Sequence, residues 1–215
     1  MGYRAVFFDL DGTITDSAPG ILASMQQALE KYAIYPDAAQ LRKYVGPPLR
    51  QMFADYLPPE QVEEGVRLYR EIYRGGRLFD ARIYDGIPQL LKRLSQNGLF
   101  VALATAKPKK TAEIFLAHFG LAKQFDWIGG TEGECGIADK TAVIRKTISQ
   151  SGFAPADCLM VGDRQDDLLG AAAAGIDAVG VLYGYGSEEE LRSCPHLALL
   201  DSPDAVGRFV LNQAR

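Results

Sequence analysis

From Tyr84 onward, short apolar runs of strand type alternate with stretches of helical period, and this alternation limits the folds open to the chain. A helix is expected over 87–97, where Asn97-Gly98 is a C-cap signal. A strand over Leu99–Ala104 follows, then a helix over 108–119 ending at Gly120 and a short strand over Phe125–Gly129. Next come a helix over 139–151 closed by Gly152, a strand over Cys158–Val161, and a helix over 167–174 closed by Gly175. A strand over Ala178–Leu182 and a helix over about 203–213 complete the series. Strands separated by helices of this length pair in parallel through right-handed crossovers. With Ala5–Phe8 as the first strand, the expected class is α/β: a Rossmann-like parallel sheet with helices on both faces.

Between the first strand and residue 83 the pattern is purely helical. Ser17 is placed to cap a helix in which Pro19 fits the first turn and Ile21, Leu22, Met25, Leu29 and Tyr32 recur at helical spacing. Pro36 breaks it, and a short helix over 37–43 follows. Tyr44–Leu49 reads as a loop, because Pro47 and Pro48 each remove an amide donor. Helices over 48–56 and 60–74 come next, the second with Val62, Val66, Tyr69 and Tyr73 on one side. Residues 16–82 are therefore expected to be a small α-helical domain inserted into a core made of 1–15 and 83–215. There is no internal repeat or low-complexity tract, and the Ala171–Ala174 face signals close helix packing.

Composition narrows the function class. A chain of 215 residues, 47% hydrophobic and 23% charged, suits one substantial domain with a smaller insert. A net charge of −4 argues against a nucleic-acid binder that works through phosphate contacts, yet permits a small anionic substrate at a locally positive site. Cys135, Cys158 and Cys194 are odd in number and lack CxxC spacing, so neither a disulfide framework nor a zinc site is expected. The N-terminus runs directly into the first strand, and no apolar run reaches the ~18 residues of a membrane span. The expectation is a cytoplasmic protein without a membrane partner; monomer and homodimer both stay open.

Polar residues of particular types stand where strands end. The first strand stops at Asp9-Leu10-Asp11-Gly12-Thr13. Taken alone, that pair reads equally well as a site and as a helix-capping aspartate beside a turn aspartate. The next strand ends in Thr105, Lys140 lies early in the helix after the third, and Gly162-Asp163 with Asp167 follows the fourth. Each has a plainer reading: Thr105, Asp163 and Asp167 as helix caps, Lys140 as a solvated lysine. In a parallel sheet, however, all these ends share one edge, where ligands bind. The plain readings would then need several coincidences. Four carboxylates suit Mg²⁺, which prefers oxygen ligands, and a hydroxyl with an ammonium suits phosphate oxygens. Together they point to metal-assisted phosphoryl chemistry.

On these residues the sequence resembles the haloacid dehalogenase superfamily in its phosphatase branch. Asp9-Leu10-Asp11-Gly12-Thr13 matches its first motif, Thr105 stands at the second, Lys140 at the third, and Gly162-Asp163 with Asp167 at the fourth. The helical insert resembles that family's small cap of the first type. Lys43-Tyr44-Val45-Gly46-Pro47-Pro48-Leu49 resembles the phosphoglycolate-phosphatase-like and nucleotidase-like group. The resemblance implies a Mg²⁺-dependent phosphatase acting on a small phosphorylated metabolite. Asp9 would be the nucleophile, and Asp11 the proton donor and then base. The metal would be held by the Asp9 and Asp163 carboxylates and the Asp11 carbonyl, with Asp167 nearby. Thr105, the Ala106 amide and Lys140 would bind phosphoryl oxygens. The loop at Gly46 would face the site, with Arg42, Lys43 or Arg50 reaching an anionic group of the substrate. Asp11 speaks against a dehalogenase, because dehalogenases of this family lack that second acid. A sugar-phosphate mutase of the β-phosphoglucomutase type, a pyrophosphatase and a catalytically idle binding protein are the alternatives.

Overall fold

The computed structural model describes residues 2–46, 48–132 and 139–213. Cys135 and Pro47 lie outside the described residues. The elements in chain order are β1 (Ala5–Phe8), β2 (Thr15–Asp16), α1 (Ala18–Glu30), α2 (Ala38–Leu41), α3 (Leu49–Tyr56) and α4 (Val62–Arg74). After them come β3 (Arg82–Ile83), α5 (Ile87–Gln96), β4 (Phe100–Pro108), α6 (Lys109–His118), β5 (Trp127–Thr131) and α7 (Lys140–Ser151). The chain finishes with β6 (Cys158–Gly162), α8 (Gln165–Ala174), β7 (Asp177–Val181), α9 (Glu188–Arg192), β8 (Leu199–Leu200) and α10 (Pro203–Gln213).

The chain separates into two compact units. One comprises everything up to Thr15 and from Ile83 onward; the other is Asp16–Arg82. In the larger unit six strands form one sheet in the order β5-β4-β1-β6-β7-β8, and every pairing is parallel. The chain builds outward from β1 through β4 to β5, then crosses back to β6 on the other side of β1. That reversal makes the carboxyl end of β1 the switch point of the sheet, where such folds open a crevice.

Burial on both sides explains why the strands are apolar runs rather than alternating ones. Phe7, Ala102, Ala104 and Met160 face a cluster with Val143, Ile144, Leu168 and Ala171 from α7 and α8. Strand residues of opposite parity, such as Phe8 and Leu103, turn to the other face, where α5 covers β4 and α10 packs on α5. Phe7 and Phe8 are completely buried, each contributing about 1.5–3 kcal/mol of hydrophobic stabilisation.

The smaller unit is all helical apart from its terminal strand residues. Here α1 packs on α2 and α4, and α3 on α4. Its core holds Met25, Leu29, Leu41, Met52, Phe53 and Val66, all buried. Gly65 allows α4 to approach Phe53: a Cβ there would lie 2.6 Å from its ring. Asp37 caps α2 by accepting from the Gln40 amide.

Several boundaries differ from the sequence expectation. Strand β4 runs on to Pro108 instead of stopping at Ala104, and β5 is shifted to Trp127–Thr131. Helix α8 begins at Gln165 rather than 167. Ser17 occupies the N-cap position of α1, but its side chain makes no cap hydrogen bond. Helix α9 and strand β8 were not anticipated.

Candidate active site

The loop after β1 is folded on a single carbonyl. The amides of Thr13, Ile14 and Thr15 all donate to the Leu10 carbonyl, at 3.3, 2.9 and 3.0 Å, and the Gly12 amide donates to Thr15 at 2.7 Å. The Asp9 amide joins the loop to β6 by donating to the Val161 carbonyl. Gly12 is required twice over. Its φ is +88°, and a Cβ there would lie 2.1 Å from Asp163 Oδ2.

The acids at the ends of β1 and β6 converge. Asp9, Asp163 and Asp167 are buried, and each offers a carboxylate oxygen within 4.8 Å of the others'. Lys140, the first residue of α7, reaches into this cluster and pairs with Asp9 Oδ1 at 2.6 Å and Asp167 Oδ1 at 2.7 Å. Asp139 starts that helix by accepting from the Ala142 amide. Gly170 of α8 leaves room for the lysine stem, since a Cβ there would stand 3.1 Å from Lys140 Cγ.

Asp163 is clamped by residues not expected from the sequence. Its Oδ1 accepts from the Thr13 hydroxyl at 3.0 Å and its Oδ2 from the Tyr185 amide at 2.8 Å. Tyr183 donates its hydroxyl to the Thr13 carbonyl at 3.1 Å. Between them, Gly184 lies so close that a Cβ would fall 2.3 Å from Asp163 Cβ and 2.4 Å from the Gly12 carbonyl oxygen. Asp167 Oδ2 accepts from the Arg164 amide, so Asp167 caps α8 while its other oxygen faces Lys140.

Burial sets the electrostatics. It pushes Asp9 up to about 6; Lys140 opposes the rise, while Asp167 and Asp11 add to it. Asp163 is also held well above the usual carboxylate range, by burial first and then by Asp167 and Asp9. Burial alone would lower the Lys140 ammonium, yet Asp167 and Asp9 hold it above its ordinary value. Asp9 and Lys140 shift in the same direction although they are paired, because one ammonium shared between two buried acids cannot offset the desolvation of both.

On the other side of β1, β4 carries Thr105, Ala106 and Lys107 through an irregularity. Ala104 pairs with Gly129 and Pro108 with Thr131, so four residue steps on β4 answer two on β5. Bulges of this kind re-aim side chains beside active sites. Thr105 is buried, and its hydroxyl accepts from the Lys107 amide at 3.2 Å; it does not cap α6. The Lys107 ammonium lies 3.0 Å from Asp11 Oδ2. With all four acids ionised, Lys107 and Lys140 leave the cluster short of two positive charges, the charge of one divalent cation.

The larger unit thus brings together Asp9, Asp11, Thr105, Lys140, Asp163 and Asp167, with Ala106 in the bulge. Lys43, Gly46 and Arg50 belong to the other unit. There, Lys43 lies over the Tyr44 ring at 4.8 Å, and Arg50 forms an ion pair with Glu63. From the sequence, Lys107, the Thr13 hydroxyl and the loop Tyr183–Gly186 carried no assigned role. The signal available for that loop was Tyr-Gly-Tyr-Gly directly after an apolar strand, on the same sheet edge as the acids.

Comparison with known proteins agrees with this geometry. A family model described as haloacid dehalogenase-like hydrolase matches residues 6–181. The chain is 41% identical over 207 residues to a 5′-nucleotidase of Pseudomonas aeruginosa, covering 92% of this chain and 94% of that protein. It is 30% identical over 192 residues to phosphoglycolate phosphatase 1 of the same organism, covering 85% and 70% respectively. The crystal structure of a predicted phosphatase from Clostridium acetobutylicum matches with a TM-score of 0.92 at 36% identity, covering 99% of this chain and 100% of that one.

Proposed function

The chain belongs to the haloacid dehalogenase-like hydrolase family and is a phosphatase, and from that premise we propose that it hydrolyses a small phosphomonoester with Mg²⁺ through an aspartyl-phosphate on Asp9. The observation that carries this reading is Lys140 bridging Asp9 and Asp167, with Asp163 in the same buried oxygen cluster.

The donor set fits Mg²⁺. It consists of hard oxygens, burial raises the Asp9 and Asp163 carboxyls, and with all four acids ionised the two lysines leave two negative charges uncompensated. The Asp9 and Asp163 carboxylates and the Asp11 carbonyl would hold the ion, with Asp167 orienting its surroundings. When bound, the ion supplies positive charge against which an anionic phosphate can approach an anionic carboxylate.

The chain's own residues do the rest. Asp9 attacks phosphorus as the ester bond to the leaving oxygen breaks, and Asp11 gives its proton to that oxygen. Asp11 then takes a proton from the water that attacks phosphorus and frees Asp9. The Thr105 hydroxyl, the Ala106 amide and Lys140 bind the phosphoryl oxygens as charge moves onto them. Thr13 and the Tyr185 amide keep Asp163 aimed at the cluster. Lys43, Gly46 and Arg50 are the candidates for contacts to the rest of the substrate. The relative named 5′-nucleotidase makes nucleoside 5′-monophosphates the first esters to try, ahead of phosphoglycolate and sugar phosphates.

Phosphate release from such a panel, measured with Mg²⁺ and with EDTA, tests the reading. Activity should vanish in EDTA, return with Mg²⁺, and fall at least about 1,000-fold in Asp9→Asn. An Asp9→Asn variant with substantial turnover would refute it.

A further inference from the structure

We propose that Lys107 is a positioning residue that holds the side chain of Asp11 where, in its protonated form, it gives its proton to the leaving oxygen, an inference that rests on the phosphatase reading above. The Lys107 ammonium stands 3.0 Å from Asp11 Oδ2, and its side chain is only 6% exposed, against 20% for that of Asp11. A lysine placed so deeply is held there by its surroundings, and three features hold it.

The first is the irregularity in β4 between Ala104 and Pro108, a kind of interruption that re-aims side chains, and Lys107 lies within it. The second is Gly130 of β5. A Cβ there would lie 2.7 Å from the Lys107 carbonyl oxygen and 2.8 Å from Lys109 Cα, so only glycine lets β5 run beneath the bulge. The third is the Lys107 amide, which donates to the Thr105 hydroxyl and ties the bulge to the residue proposed to grip phosphate. The Phe115 ring adds a distant wall, 5.9 Å from the ammonium.

The two lysines divide the acids between them. Lys140 of α7 is taken by Asp9 and Asp167, while Lys107 of β4 faces Asp11. Asp9 is fixed by burial and by Lys140. Asp11 is more exposed, and a carboxylate that must meet a leaving oxygen gains most from a fixed partner. A misplacement of about 1 Å can cost roughly 100-fold in rate. A competing role for Lys107 would be a direct grip on a phosphoryl oxygen.

Leaving-group dependence separates the two roles. Aryl phosphates whose leaving phenols grow more acidic need progressively less protonation, whereas a lost phosphoryl contact harms all of them alike. In Lys107→Met, kcat/KM should fall about 100-fold on phenyl phosphate and less than about threefold on dinitrophenyl phosphate, with 4-nitrophenyl phosphate between. In a double-mutant cycle, Lys107→Met added to Asp11→Asn should cause no further loss on any ester the single variant still turns over. Equal losses on all three esters, multiplying losses in the cycle, or no loss at all would overturn the positioning role and leave the phosphatase reading intact. A wild-type protein that releases phosphate from neither these esters nor the metabolite panel sinks both. A preserved Mg²⁺-dependent rise in melting temperature verifies that the variant is folded.

Discussion

Asp9 is where burial, charge and chemistry meet, and without metal it is strained towards protonation. Its folded-state value near 6 lies above the ordinary 3.8, so the folded protein holds that proton more tightly than the unfolded chain does. The sign follows from linkage. Raising the pH removes a proton that only the fold was retaining, so Asp9 lowers stability as pH rises from about 4 to about 6. Bound Mg²⁺ should abolish that loss, because the charged carboxylate then has a partner. The melting temperature in EDTA, minus that in Mg²⁺, should therefore become more negative by several degrees across this window, and Asp9→Asn should reduce the trend to the part that the buried Asp163 contributes. A difference that stays level or turns positive contradicts the account of Asp9. The acids could be picked out in the sequence because paired carboxylates at a buried strand end are costly unless compensated. Lys140 was visible because a cation sits poorly at a helix N-terminus. Lys107 was not, because its orientation comes from a bulge, and a bulge follows from the register between two strands and not from residue type.

At the scale of elements, strand ends and the loops beyond them carry the site, and glycines set how closely they meet. The loop from β7 to α9 clamps Asp163 with a backbone amide, a contact that no side-chain identity announces. Gly184 is the position that tests it, since a methyl group there collides with Asp163 Cβ and the Gly12 carbonyl, neither of which can swing away. Gly184→Ala should weaken Mg²⁺ binding about 10- to 100-fold in isothermal titration calorimetry while leaving the far-ultraviolet circular dichroism unchanged. Unaltered affinity would show that the loop does not orient Asp163. The long strands and helices were legible from periodicity and glycine stops. Helix α9, with five residues, and strand β8, with two, are too short to show a period. Strand β4 was cut short at Ala104 because Thr105-Ala106-Lys107-Pro108 reads as a loop, whereas the partner strand β5 keeps it extended.

At the scale of the whole molecule, the fold supplies a parallel sheet whose switch point is β1, and the insertion after β1 leaves that edge in the larger unit. At the carboxyl edge the two lysines are outnumbered by Asp9, Asp11, Asp163 and Asp167, so the anionic substrate proposed above rests on a bound cation and not on a locally positive surface. No helix among the described residues is long and apolar enough to cross a membrane. Chemistry was more legible than substrate, because the proposed phosphoryl site is built from residue types with few alternatives, while the residues proposed for selectivity, Lys43, Gly46 and Arg50, are of types that admit many partners. The central claim is covalent phosphoryl transfer to Asp9. Its most direct measurement is rapid acid quench during turnover of the best ester with Mg²⁺, followed by borohydride reduction and peptide mass spectrometry. The account predicts homoserine at position 9 in the wild-type protein and none in Asp9→Asn; an unmodified Asp9 during steady turnover by an Asp11→Asn variant, in which the intermediate should accumulate, would contradict it.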